Sequence, residues 1–196
     1  MRRLLRSAAC AAALFTACGL VLAQDTTDFF PLKAKSTWVY KVGENTITQE
    51  CTTGDGKEVK VDTKVSDKVV ASESFEVTKD GVFRTKVNGV AIQPKVQILK
   101  LPVTDKDQEW KVDGKIQDQS MKGTFKQKGA KEKVKTDAGE FDAVVVDGAD
   151  FEVAGVKTSV KYWFAPGKGI VKLTYNIAGN EAVLTLKEYK EGGAAK

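Results

Sequence analysis

The sequence predicts an all-β protein: an antiparallel meander of about ten to twelve strands, rolled into a partial barrel or folded as two facing sheets. Three observations lead there. Apolar residues recur with period two from Ser36 to Tyr189, the signature of strands buried on one face. Turn residues interrupt that rhythm at short intervals. After residue 23, no segment carries ten or more residues of i, i+3, i+4 apolar spacing, so helix is expected only in the export signal.

That signal occupies residues 1–23. "MRRLLR" is a cationic start, "SAACAAALFTACGLVL" an apolar middle, and Val21-Leu22-Ala23 a small-residue cleavage site before Gln24. Phe15-Thr16-Ala17-Cys18 is an imperfect lipobox, in which Cys18 would be lipidated. The preferred Leu stands one position early, at Leu14, and the apolar run continues past Cys18, so the sequence favours cleavage after Ala23 over lipidation. Beyond Ala23 no run approaches ~18 consecutive apolar residues, and no transmembrane helix is expected. The rest reads as one β domain, residues 24–190, followed by "EGGAAK" (191–196) as a disordered tail.

Along that domain the strands declare themselves by alternation. In "KEVKVDTKV", Val59, Val61, Thr63 and Val65 share one face. In "GVKTSVKYWFAP" one face holds Val156, Thr158, Val160, Tyr162 and Phe164, and in "GIVKLTYNIAG" it holds Val171, Leu173, Tyr175 and Ile177. Turns are expected at Gly43-Glu44-Asn45, Gly54-Asp55-Gly56, Lys79-Asp80-Gly81, Asn88-Gly89, Asp113-Gly114, Asp147-Gly148 and Ala178-Gly179-Asn180. Asn-Gly and Asp-Gly suit tight hairpins because both central residues take positive φ. Gly167-Lys168-Gly169 lacks the spacing and the Ser/Thr of a phosphate loop, and a strand rather than a helix follows it, so it reads as a corner. Two readings stand evenly for 29–101 and 102–190: a faint internal repeat, or the likeness that any two hairpins share. The repeat aligns "PLKAKSTWVYKVGENTI" with "LPVTDKDQEWKVDGKI", and the Gly-turn hairpin after Lys79 with the one after Gly167.

A sheet greasy on one side must cover that side, and no helix is available to do so. The ribbon therefore has to close on itself or clasp an apolar guest.

Composition removes several kinds of chemistry. The chain has no His, which excludes Ser-His-Asp and Cys-His catalysis and the usual zinc and copper ligands. No serine has Lys three positions on. Cys51 is the one cysteine after the signal, so no intramolecular disulfide forms. With no His to activate it, it reads as a packed strand residue rather than a reactive thiol. Asp105-Lys106-Asp107-Gln108-Glu109 starts like a calcium loop, yet Trp110 fills the required Gly position and Ile116 that of the bidentate Glu. Asp147 and Asp150 read as a solvated turn rather than a calcium site. No cofactor is expected. After the signal, Arg84 is the lone arginine among 27 lysines, which argues against nucleic acid as a partner. Trp163 falls opposite Tyr162 and Phe164 in the alternation; core filling on the other face of a two-sided strand is the favoured reading, and an exposed, ligand-facing aromatic is the other.

Three stretches, "FFPLKAKSTWVYKV", "TDAGEFDAVVV" and "YWFAPGKGIVKL", resemble the TapB-like family of uncharacterised exported bacterial proteins. Its sheets are distantly reminiscent of the lipoprotein carriers LolA and LolB. The clearest markers are Trp38, Gly139 to Ala143, and Ala165-Pro166-Gly167. The resemblance implies an exported β-sheet domain of the bacterial periplasm or cell envelope and no activity. The first expectation is thus a non-catalytic binding or structural domain whose partner is a protein or an apolar ligand. A periplasmic carrier of a lipid or other apolar ligand is the alternative, and a carboxylate-based hydrolase the remote one.

Overall fold

A computed structural model describes residues 28–53 and 58–193. The expected export signal, Cys18 and the expected Gly54-Asp55-Gly56 turn lie outside the described residues. Among the described residues thirteen strands follow one another without a helix: β1 (Thr37–Val42), β2 (Asn45–Thr53), β3 (Glu58–Val65), β4 (Lys68–Thr78), β5 (Gly81–Val87), β6 (Val90–Lys100), β7 (Gln108–Ile116), β8 (Gln119–Gln127), β9 (Glu132–Thr136), β10 (Gly139–Val153), β11 (Val156–Ala165), β12 (Gly169–Ile177) and β13 (Asn180–Lys190).

Twelve of these form a closed antiparallel ring. The order β11-β12-β13-β1-β2-β3-β4-β5-β6-β7-β8-β10 returns to β11 through the β10–β11 pairing, and β9 hangs outside on β10. Closure is the solution that leaves no unpaired edge. The helix-free ribbon shelters its own apolar face.

Cross-strand partners put one set of side chains inside. Tyr162 faces Leu173, Cys51 faces Val61, Val59 faces Phe75, and Phe75 faces Arg84. The ring is flattened. Phe30 makes edge-to-face contacts with Phe75 of β4 (5.1 Å) and Phe164 of β11 (6.2 Å), strands six places apart in the order. The strands matched by the faint repeat, β1 with β7, β5 with β12 and β6 with β13, also stand six places apart.

Two expected turns are corrected. Asp113-Gly114 lies inside β7 and Asp147-Gly148 inside β10. Both glycines serve packing rather than reversal. A Cβ on Gly148 would sit 2.8 Å from the rings of Phe125 and Phe151, and one on Gly114 would sit 3.1 Å from the carbonyl of Gln93. The β7–β8 reversal falls instead at Gln117-Asp118, and β3 turns into β4 through Ser66 and Asp67, both at positive φ.

One seam is thin. β6 and β7 pair at only Ile92↔Ile116 and Gln93↔Lys115, and Pro94, lacking an N–H, follows. Side chains take over beyond it. Buried Gln127 accepts from the Lys100 amide (2.9 Å) and donates to the Lys100 carbonyl (3.2 Å), while the Trp110 indole donates to the Gln97 carbonyl (2.9 Å).

The two ends of the barrel differ. At one end the segment before β1 folds under the ring as a plug, with Phe29, Phe30 and Leu32 buried. It is tied to the β11–β12 corner: the Gly167 amide donates to the Asp28 carbonyl (2.7 Å), the Trp38 indole to the Lys168 carbonyl (2.7 Å) and the Tyr40 hydroxyl to the Ile170 carbonyl (2.8 Å). Gly167-Lys168-Gly169 is indeed a corner, one that receives the plug. The first residues past β13 also meet the plug segment. Glu191 pairs with Lys33, and the Gly192 amide donates to Ser36 Oγ (2.9 Å); residues 194–196 lie outside the described residues.

Phe30→Ala removes the ring that bridges the two walls. It is expected to destabilise the fold by about 3–5 kcal/mol, the range for a buried aromatic, read from urea unfolding. A loss below about 1 kcal/mol would show that the plug does not hold the walls together.

Candidate binding site at the open end of the barrel

The end opposite the plug carries the turns β1–β2, β3–β4, β5–β6, β7–β8, β10–β11 and β12–β13. It stays open. Among the described residues the exposed large apolar side chains are Val65, Val69, Val70, Val156, Tyr175, Ile177 and Val183, and every one of them flanks one of these hairpin turns. Four belong to the inner face by register: Val65 (40 % exposed), Val156 (40 %), Tyr175 (36 %) and Ile177 (51 %). The same face that is sealed around Phe164 and Phe75 is wet at this rim.

Midway down the interior sits a polar cluster. Arg84 of β5 donates through Nη2 to the Tyr162 hydroxyl (3.2 Å) and pairs with Glu73 (3.0 Å), and its guanidinium carbon lies 5.8 Å from the centre of the Phe75 ring. Tyr162 belongs to β11, across the flattened ring, so the cluster ties the two walls. Burial opposes the charge on Arg84, but Glu73 and then Tyr162 outweigh it and raise the pKa above its usual value. Burial also raises the Tyr162 hydroxyl, against the pull of Arg84. The side chains of Arg84 and Glu73 remain 26 % and 22 % exposed. Since the plug closes the far end, solvent reaches them through the open one.

Beside the cluster is a cavity of about 30 Å³, walled by Phe30, Trp38, Gln49, Phe75, Leu173 and Leu184 among others. That is room for a water molecule. Arg84 Nε is buried with no hydrogen-bond partner, an orphan donor in a setting where such groups are rare.

The sequence-predicted sites fare differently. Trp163 does face outward from the ring, but it is not an exposed aromatic: only 6 % of it is accessible. The β9–β10 hairpin covers it, with the indole donating to Glu132 (2.9 Å), and Lys161 and Lys172 lie over the ring at 4.9 and 4.6 Å. Parity alone could not show that one strand lies outside the barrel. Cys18 is beyond the described residues. Asp147 and Asp150 flank the β10 bulge, and among the described residues no group of three or more acidic or thiol side chains could hold a metal. Cys51 is fully buried on the inner face, its thiol pushed up to about 11 by burial and by Glu50.

Arg84 and Glu73 were not singled out as a site by the sequence, although a signal was there. In "GVFRTKV" Arg84 shares the parity of Val82, and in "SESFEV" Glu73 shares that of Phe75 and Val77. A charge at core parity is the mark of a built polar site.

No protein-family model matches the chain, and no curated protein does. Its fold resembles that of a candidate lipoprotein from Parabacteroides distasonis ATCC 8503, at TM-score 0.57 and 16 % identity, over 85 % of this chain and 100 % of that one. A candidate exported protein with a YmcC-like fold from Bacteroides fragilis NCTC 9343 aligns at TM-score 0.42 and 11 % identity, over 81 % of this chain and 96 % of its own. The first likeness shows a shared barrel architecture. No helix among the described residues is long and apolar enough to cross a membrane.

The buried thiol has a measurable consequence. Cys51 is raised in the fold from 9.0 to about 11, so its stabilising contribution is complete below pH 9 and fades as pH rises toward 11. That amounts to about 2–3 kcal/mol at the upper limit. Cys51→Ala should flatten the fall of urea-unfolding stability between pH 9 and 11. An unchanged slope would contradict the thiol's burial.

Proposed function

We propose that the protein is a non-catalytic binding module of the bacterial cell envelope, and that its working surface is the open hairpin end. One observation carries this reading: the exposed large apolar residues gather at that end, while the other end is plugged. Apolar side chains left wet at one place on a folded surface mark an interaction site. The absence of His supports a non-catalytic role, as does the engagement of Glu73, an inward-facing carboxylate, by Arg84.

Export to the envelope is supported by the signal-like first 23 residues and by the fold shared with a candidate lipoprotein. Membership among TapB-like proteins belongs to the same proposal. Its support is that Trp38 and the Ala165-Pro166-Gly167 corner meet at the plug, and that Gly139 to Ala143 form the hairpin laid outside the ring. A carrier that encloses a whole lipid, the alternative, is weakened by the interior volume. The narrow space beside Arg84, about 30 Å³, lies far below the ~300–1,000 Å³ of pockets that engulf small molecules, so a ligand enters from the mouth and is not sealed inside.

The folded protein is expected to bind the apolar dye 8-anilinonaphthalene-1-sulfonate with saturable fluorescence. Ile177→Lys together with Val156→Lys, both at exposed rim positions, should reduce that signal at least fivefold and shift stability by less than about 1 kcal/mol. A dye response unaffected by the rim changes, or none from the native protein, would overturn the assignment of the open end.

A further inference from the structure

We propose that the open end is a site for a single-chain carboxylate, its acid group seated in the Arg84 cavity and its alkyl chain rising along the inner wall to the rim. This rests on the reading of the open end as an apolar binding surface, and it names the ligand class.

The inner faces of three strands provide the path. On β12, Leu173 lines the cavity, Tyr175 above it is 36 % exposed, and Ile177 at the rim is 51 % exposed. On β3 the series is Val61, Thr63 and Val65, and on β11 it is Tyr162, Val160, Thr158 and Val156. Each track starts at the cavity, stays largely apolar and becomes wetter toward the turns. From Leu173 to Ile177 the strand advances ~13 Å, about the reach of a ten-carbon chain. Burying that chain against the wet rim returns part of the apolar surface the fold leaves exposed.

The foot of the path selects the head group. Arg84 is the lone arginine after the signal, and it is set in the interior rather than on the surface where the lysines lie. Arg84 is one of the residues that wall the cavity, and its Nε donor is buried and unpartnered. A space of about 30 Å³ admits a carboxylate and is too small for a phosphate diester with its substituents. An alcohol head offers one acceptor oxygen and no charge. A cationic head is opposed by Arg84 itself. Glu73 already shows the chemistry the guanidinium accepts, with a carboxylate at 3.0 Å; a ligand acid would share Arg84 with it and compete with it. Arginine holds carboxylates through paired, charge-assisted hydrogen bonds, stronger than neutral ones.

Isothermal titration calorimetry of the folded protein with decanoate, decanol and decyltrimethylammonium at neutral pH tests this. Decanoate is expected to bind one to one and at least tenfold more tightly than decanol, with the ammonium weakest. Arg84→Met should erase the preference for decanoate over decanol, and Glu73→Gln should tighten decanoate at least fivefold by removing the competing acid. Equal affinities for decanoate and decanol would overturn the carboxylate site while leaving the apolar mouth in place. No binding of any of the three would sink both. If Arg84→Met does not fold, Glu73→Gln decides: an unchanged decanoate affinity in that variant overturns the proposal.

Discussion

A ribbon with one apolar face and no helix to lay over it cannot remain open in water, and the rest of this structure follows from that condition. Burying large apolar side chains is worth roughly 2 kcal/mol each, and net stabilities amount to only about 5–15 kcal/mol. The chain meets the condition by joining β11 to β10 and β13 to β1, so that twelve strands share one inner face. A ring of twelve strands would enclose a wide lumen if it were round. Here it collapses until opposite walls touch through Phe30 and through Arg84 with Tyr162.

The collapse is uneven, and the unevenness creates the site. The segment from Phe29 to Leu32 seals one end and anchors to the β11–β12 corner through Trp38 and Tyr40. Nothing equivalent among the described residues covers the hairpin end, where inner-face residues from Val65 to Ile177 meet solvent. Polar atoms accordingly appear at the depth where sealed core gives way to wet mouth. Arg84 and Glu73 neutralise each other there, which makes two charges tolerable in an interior otherwise filled with aromatic and aliphatic groups.

Alternation made the strands and their inward residues legible, because side chains in a strand change face at every step. Val59, Val61 and Val65, or Val160, Tyr162 and Phe164, could be assigned to one face without coordinates. Asp113-Gly114 and Asp147-Gly148 misled as turns because a glycine that admits a neighbouring ring or carbonyl looks like one that reverses the chain. Ring closure depends on pairing between strands far apart in the sequence, and no local pattern records it. The burial of Trp163 had the same obstacle: its cover, the β9–β10 hairpin, departs from the meander. The plug, too, was hidden in plain residues, since Phe29-Phe30-Pro31-Leu32 has no periodicity to mark its role.

Backbone hydrogen exchange of β1, followed by nuclear magnetic resonance, tests ring closure most directly. β1 lies between β2 and β13 in the ring, so its amides on both edges should exchange only through global unfolding, with equal protection toward each neighbour. Should the amides directed at β13 exchange at the rates of an open strand edge while those directed at β2 remain protected, the ring is not closed and the sheltered interior described here does not exist.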